Sequence, residues 1–94
     1  MSSTPVDIEV FTSSYCQRCK RASTLVQQLL EEEPFSRLNW RQVDVVEEID
    51  HTVALGIVAT PAIAIGGRCR FTTLPSAASL RQALQDYLAG RSHE

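Results

Sequence analysis

The stretch Ser13–Arg21, SSYCQRCKR, decides how the rest of the chain is read. It holds two of the three cysteines, Cys16 and Cys19, with positive charge between and after them. Upstream, DIEVF (Asp7 to Phe11) alternates weakly and carries β-formers, which predicts a short strand. Downstream, the apolar positions Cys19, Ala22, Leu25, Val26, Leu29 and Leu30 recur in steps of three and four. That period predicts a helix with one buried face. Ser13 and Ser14 are the expected N-caps, and Pro34 the expected stop. Glu31 to Glu33 fall at the C-terminal end, which the helix dipole disfavours, and read as a solvated turn.

The cysteine pair therefore sits where a strand hands over to a helix. Residues three apart on a helix share a face, so the two sulfurs come within disulfide reach. Cys16 faces unpaired N–H groups and the positive dipole end, which favour thiolate over thiol. Arg18, Lys20 and Arg21 add a modest, salt-screened contribution. Cys19, one turn further in, is expected to be more buried. The asymmetry assigns roles: Cys16 attacks a substrate disulfide, and Cys19 resolves the mixed disulfide.

A Cys-x-x-Cys pair can also be half a zinc site, which needs about two more ligands. Cys69, His51 and His93 are the candidates, and none forms a second close pair. A purely structural disulfide would close a very small loop and restrain the unfolded chain little. The strand–Cys-x-x-Cys–helix setting favours redox work, with no metal.

The totals agree with that reading. The 94 residues suit one domain, 1–94, with an ordered core of about 6–89. Hydrophobic residues make up 44% and charged ones 21%, which argues against disorder. A net charge of -2 favours neither nucleic acid nor an anionic membrane. No apolar run approaches a membrane span. MSSTPVDIEVF lacks a basic, apolar leader, so a cytoplasmic, reducing compartment is expected.

Beyond the first helix, Leu38 to Val46 reads as a second strand. Glu47 to Leu55 reads as a short helix closed by Gly56. ATPAIAIGGRCRFTT reads as two strands joined at Gly66-Gly67, a hairpin signal. Pro75-Ser76 opens the last helix, with Leu80, Leu84, Tyr87 and Leu88 on one face and Gly90 after it. The order is β-α-β-α-β-β-α. A right-handed first crossover makes its two strands parallel, and helices cover both faces of a four-stranded mixed sheet. Thr60-Pro61 opens the third strand. It can be an ordinary strand start or a cis bond.

Three motifs in this order resemble the thioredoxin superfamily: Cys16-Gln17-Arg18-Cys19-Lys20, Val43-Asp44-Val45, and Gly56 to Pro61. The likeness runs from about Val6 to Leu88. It is strongest to small thioredoxin-like or glutaredoxin-like proteins made of the bare fold, through GIVATPAIAIGG and LPSAASLRQAL. The resemblance implies an α/β fold with strand order 2-1-3-4 and a cis Thr60–Pro61 bond beside the pair. It implies that Thr60 and Pro61 offer backbone to an extended substrate, in the manner of strand addition. Tyr15, Gln17 and Arg18 flank the attacking sulfur.

The chain departs from the family at several positions. Tyr15 replaces the usual Trp. Val10 stands where a buried acid is usual. Gln17 replaces a frequent Pro. Glutaredoxins share the Tyr-Cys-x-x-Cys-Lys pattern, but Ser13 stands where they carry a Lys. Thr72 to Ser76 stands where they carry a Gly-Gly-x-Asp-like loop.

The expected function is thus a thiol–disulfide oxidoreductase, monomeric and without a bound cofactor. Its partners would be disulfide-containing proteins and a reductase or glutathione as electron donor. The alternatives are a glutathione-dependent glutaredoxin, or a metal-binding or redox-sensing module on the same scaffold. Cys69 and Phe71 are expected on one strand face, with Cys69 a buried structural thiol. His51 reads as exposed. Trp40 reads as packing on the edge strand, and Asp44 as a strand end or helix cap.

Overall fold

A computed structural model of the chain describes residues 6–14 and 16–91. Four strands form one sheet: β1 (Ile8–Thr12), β2 (Trp40–Asp44), β3 (Ala62–Ile65) and β4 (Arg68–Phe71). Three helices join them: α1 (Gln17–Leu29), α2 (Ile49–Ala54) and α3 (Ala77–Arg91). A short 3-10 turn lies at Phe35–Arg37. The spatial order is β2-β1-β3-β4. β1 and β2 are parallel, as a helical crossover requires. β3 runs antiparallel to both β1 and β4.

Alternation along β1 and β3 sorts the core into two layers. Ile8, Val10, Ile63 and Ile65 face α1 and α3, where they meet Ala22, Val26, Leu29, Leu80, Ala83 and Leu84. Phe11, Ala62 and Ala64 face the other way and pack with Val43 and Ile57 beneath α2. Burying each large side chain of the first layer contributes roughly 1.5–3 kcal/mol.

Gly66 and Gly67 turn the β3–β4 hairpin at φ 63° and 82°, the left-handed pair that such a turn demands. Gly66 also has no room for a side chain: a Cβ there would lie 2.6 Å from the Tyr87 ring. Gly56 closes α2 at φ 72°. The Ser76 hydroxyl caps α3 by accepting from the Ser79 amide at 3.1 Å.

The structure differs from the sequence reading in four places. Cys16 itself, not Ser13 or Ser14, is the N-cap of α1; its sulfur accepts from the Cys19 amide at 3.2 Å. The Ser13 hydroxyl is engaged elsewhere, with that of Thr60 at 2.9 Å. α1 stops at Leu29, short of Pro34, and unwinds through Glu31 and Glu32, whose amides reach back to Gln28 and Leu29. The acidic run at a negative dipole end explains the early stop. α3 continues through Gly90 to Arg91, since one exposed helical Gly costs only about 1 kcal/mol. Finally, Cys69 and Phe71 lie on opposite faces, Cys69 towards α2 and Phe71 towards α1. A bulge sets Ile63 against Phe71 but Ala64 against Cys69, so Arg70 is an extra residue and the alternation breaks.

Candidate active site

The C-terminal end of β1 delivers the chain into α1 through Thr12–Cys16. Cys16 and Cys19 are joined as a disulfide with Cα atoms 5.3 Å apart. Exposure separates the two. Cys16 is half-buried, while Cys19 is 3% exposed on the inner face of α1, beside Ala22 and Val26. No acidic residue stands in the first turn of α1. Arg18, Lys20 and Arg21 are exposed there, and none is paired with a described acid. The local field at the pair is therefore positive.

One cleft is lined by the disulfide, and a second adjoins it at Ser13. The first, of about 520 Å³, is lined by Thr12, Ser13, Cys16, Gln17, Cys19, Lys20 and Gln42. Gln42 comes from β2, opposite Val10 of β1, and its amide nitrogen donates to the Ser23 hydroxyl at 2.7 Å. The second, of about 340 Å³, is more apolar. It is lined by Val45, Ile49, Ile57, Val58 and Ala59 as well as Ser13, Thr52 and Thr60. Val58 on its rim is 93% exposed.

Thr60–Pro61 is a cis peptide. The Ser13–Thr60 hydrogen bond ties this segment to the loop that carries Cys16. Cys16, Cys19, Gln17 and Thr60 are thus brought together, and Pro61 is buried behind Thr60. Arg18 is exposed and is not part of the lining of either cleft. Tyr15 and His93 lie outside the described residues.

The chain matches the Thioredoxin domain family over residues 6–85. A probable thioredoxin of Methanothermobacter thermautotrophicus is 35% identical over 81 residues, covering 86% of this chain and 94% of that protein. A thioredoxin of Methanocaldococcus jannaschii is 31% identical, covering 88% and 96%. The chain belongs to the thioredoxin family. Its fold also superimposes on thioredoxin 1 of Thermosipho africanus with a TM-score of 0.72 at 19% identity, covering 90% of this chain and 97% of that one. Thioredoxins are thiol–disulfide oxidoreductases, and so is this chain.

Of the candidate metal ligands, Cys69 and His51 are each otherwise engaged. Cys69 is a half-buried free thiol on the hairpin, packed against the second core layer and not fully buried as expected. His51 is not a free surface histidine: it lies 2.9 Å from Glu9 and 5.6 Å, ring to ring, from Phe11. Among the described residues no three His, Cys, Asp or Glu side chains gather to hold a metal ion.

Val10 is fully buried against α1. The buried acid of β1 is its neighbour Glu9, on the opposite face of the sheet. Arg41 donates to Glu9 at 2.8 and 3.1 Å and to Glu48 at 3.0 Å. Burial opposes the Arg41 charge, but the hydrogen bonds and charges of the two glutamates outweigh it and raise its pKa. This cluster holds α2 and takes no part in the cysteine site. Sequence reasoning counted Lys20 only as a nearby charge, without its place in the lining, and missed Gln42. Lys20 was findable, four residues after Cys16 on one helix face. Gln42 depends on the β1–β2 register.

Proposed function

We propose that the chain reduces protein disulfides, with Cys16 as nucleophile and Cys19 as resolving thiol. The observation that carries this is the unequal exposure of the two cysteines at the positive end of α1. In the dithiol form, the Cys16 thiolate is favoured by the helix dipole and by Arg18, Lys20 and Arg21. It attacks a substrate sulfur and forms a mixed disulfide. Cys19, held one turn away, attacks the Cys16 sulfur and releases the reduced substrate.

Thr60 and Pro61 shape the edge along which an extended substrate lies. The apolar cleft beside Thr60 suits a polypeptide, whose side chains fill such surfaces. Gln17, in the lining of the first cleft, is placed to meet the substrate as well. A reductase or glutathione returns the electrons, no bound cofactor takes part, and the protein works as a monomer in a reducing, cytoplasmic setting. No helix among the described residues is long and apolar enough to cross a membrane.

The test is turbidimetric reduction of insulin with dithiothreitol. Cys16→Ser is expected to abolish turnover, a loss of at least about a hundredfold. Cys19→Ser is expected to accumulate a mixed disulfide with its substrate, visible by mass spectrometry. Retained turnover in Cys16→Ser overturns the assignment.

A further inference from the structure

We propose that the cleft on the β2 side of the disulfide selects anionic low-molecular-weight disulfides, and that Lys20 sets this preference. The proposal rests on the dithiol reading above and extends it to a second substrate class. At about 520 Å³ the cleft falls within the roughly 300–1,000 Å³ of small-molecule sites. Both cysteines contribute to its lining, so an occupant meets the reacting sulfur directly.

The lining side chains narrow its chemistry. The Thr12 hydroxyl donates to the Val43 carbonyl, the Ser13 hydroxyl pairs with Thr60, and the Gln42 amide nitrogen donates to Ser23. An occupant can still use the Gln17 carboxamide, the Gln42 carbonyl oxygen and second N–H, the lone pairs of the two hydroxyls, and the Lys20 ammonium. Among the described residues Lys20 is the one charge of the lining, and none of them sets a carboxylate there against it. On α1 it lies four residues beyond Cys16 and three beyond Gln17, so the three share a face. Among the described residues the cleft beyond Ser13 has no cation; aliphatic side chains and the hydroxyl residues Ser13, Thr52 and Thr60 line it. A carboxylate beside the reacting sulfur is thus favoured on the Lys20 side only.

The exchange balances without an added reactant. The Cys16 thiolate attacks one sulfur of the small disulfide; that S–S bond breaks and one half leaves as a thiolate, which takes a proton from water. Cys19 gives its proton to solvent and attacks the Cys16 sulfur. The second half leaves as a thiolate and takes a proton from solvent; the Cys16–Cys19 disulfide has formed and the dithiol has passed two electrons to the substrate. Lys20 faces the carboxylate of the half bound to Cys16.

The experiment uses the full chain, pre-reduced and freed of reductant, in single-turnover reactions with three disulfides of similar length. Dithiodipropionate is anionic, hydroxyethyl disulfide neutral and cystamine cationic. Oxidation of the pair is followed by acid quench, alkylation and mass spectrometry. The anionic probe is expected to react about two- to fivefold faster than the neutral one, with the cationic probe slowest and the spread shrinking at high salt. Ratios are taken after correction for each probe's rate with a small free dithiol. Lys20→Gln is expected to bring the anionic-to-neutral ratio to about one. Lys20→Glu is expected to invert it. Arg21→Gln, which removes an equal charge outside the cleft, is expected to change the ratio less. Equal corrected rates for the three probes overturn the proposal while leaving the dithiol intact, as does an equal effect of Arg21→Gln. Failure of the wild-type dithiol to reduce any of the three overturns the dithiol reading itself.

Discussion

The two faces of the sheet are held by different physics. On the α1/α3 face, two helices of 13 and 15 residues bury a continuous apolar layer. On the α2 face, a six-residue helix covers a smaller layer that includes two alanines of β3. There Thr52 is the buried residue of α2, while Ile49 and Val53 point outward. The helix is tied down by polar contacts: Glu9 to His51, and Arg41 between Glu9 and Glu48. The cysteines ride on the apolar face. The rim of the apolar cleft, including Ile49, rides on the polar one. Precision is therefore concentrated behind the sulfurs, and the surface beside them rests on the lighter support.

Substitutions in each layer test this contrast. Leu84→Ala, which empties part of the α1/α3 layer, is expected to cost about 3 kcal/mol in urea unfolding. A loss under about 1 kcal/mol would mean that this layer can collapse and is no stiffer than its counterpart. Glu9→Gln is expected to cost less, about 1–2 kcal/mol, because Arg41 keeps Glu48 and both Arg41 and His51 are over a third exposed. Its sharper signature is faster hydrogen exchange of α2 amides than of α1 amides. Uniform acceleration would erase the distinction between the faces. Val53→Ala, on the exposed side of α2, is expected to stay within about 0.5 kcal/mol of wild type. A larger loss would show that α2 is held by more than its polar ties.

What was legible in the chain follows the same division. The α1 face could be read because its support is periodic: Cys19, Ala22, Val26 and Leu29 repeat at helical spacing, and Leu80 and Leu84 do so on α3. The hairpin could be read because Gly66-Gly67 is a local signal. The polar support of α2 could not. Glu9, Arg41 and His51 are brought together by strand register and tertiary contact over separations of 32 and 42 residues. The cap of α1 was misplaced because serine is the stronger intrinsic N-cap, and the contact that occupies Ser13 comes from Thr60, 47 residues away. The bulge at Arg70 leaves no mark in a pattern of alternating residues, so Cys69 and Phe71 were set on one face. Of the cysteine site, the pair was readable from its local spacing, while Thr60 entered only through the family resemblance. Gln42 needed the parallel pairing of β1 with β2.

At the end of the sheet away from the cysteines, Asp7 gathers distant parts of the chain. Its amide donates to the Asn39 side chain, and its carboxylate accepts from the Asn39 amide and from the Tyr87 hydroxyl, 80 residues on. Its carbonyl accepts from Gly66 at the hairpin turn. Asp7 thus latches the start of the central strand, the hairpin turn and the last helix to one another at the end of the sheet opposite the reacting sulfurs. A loosening of any one of the three is felt by the other two, although none of them touches the cysteines.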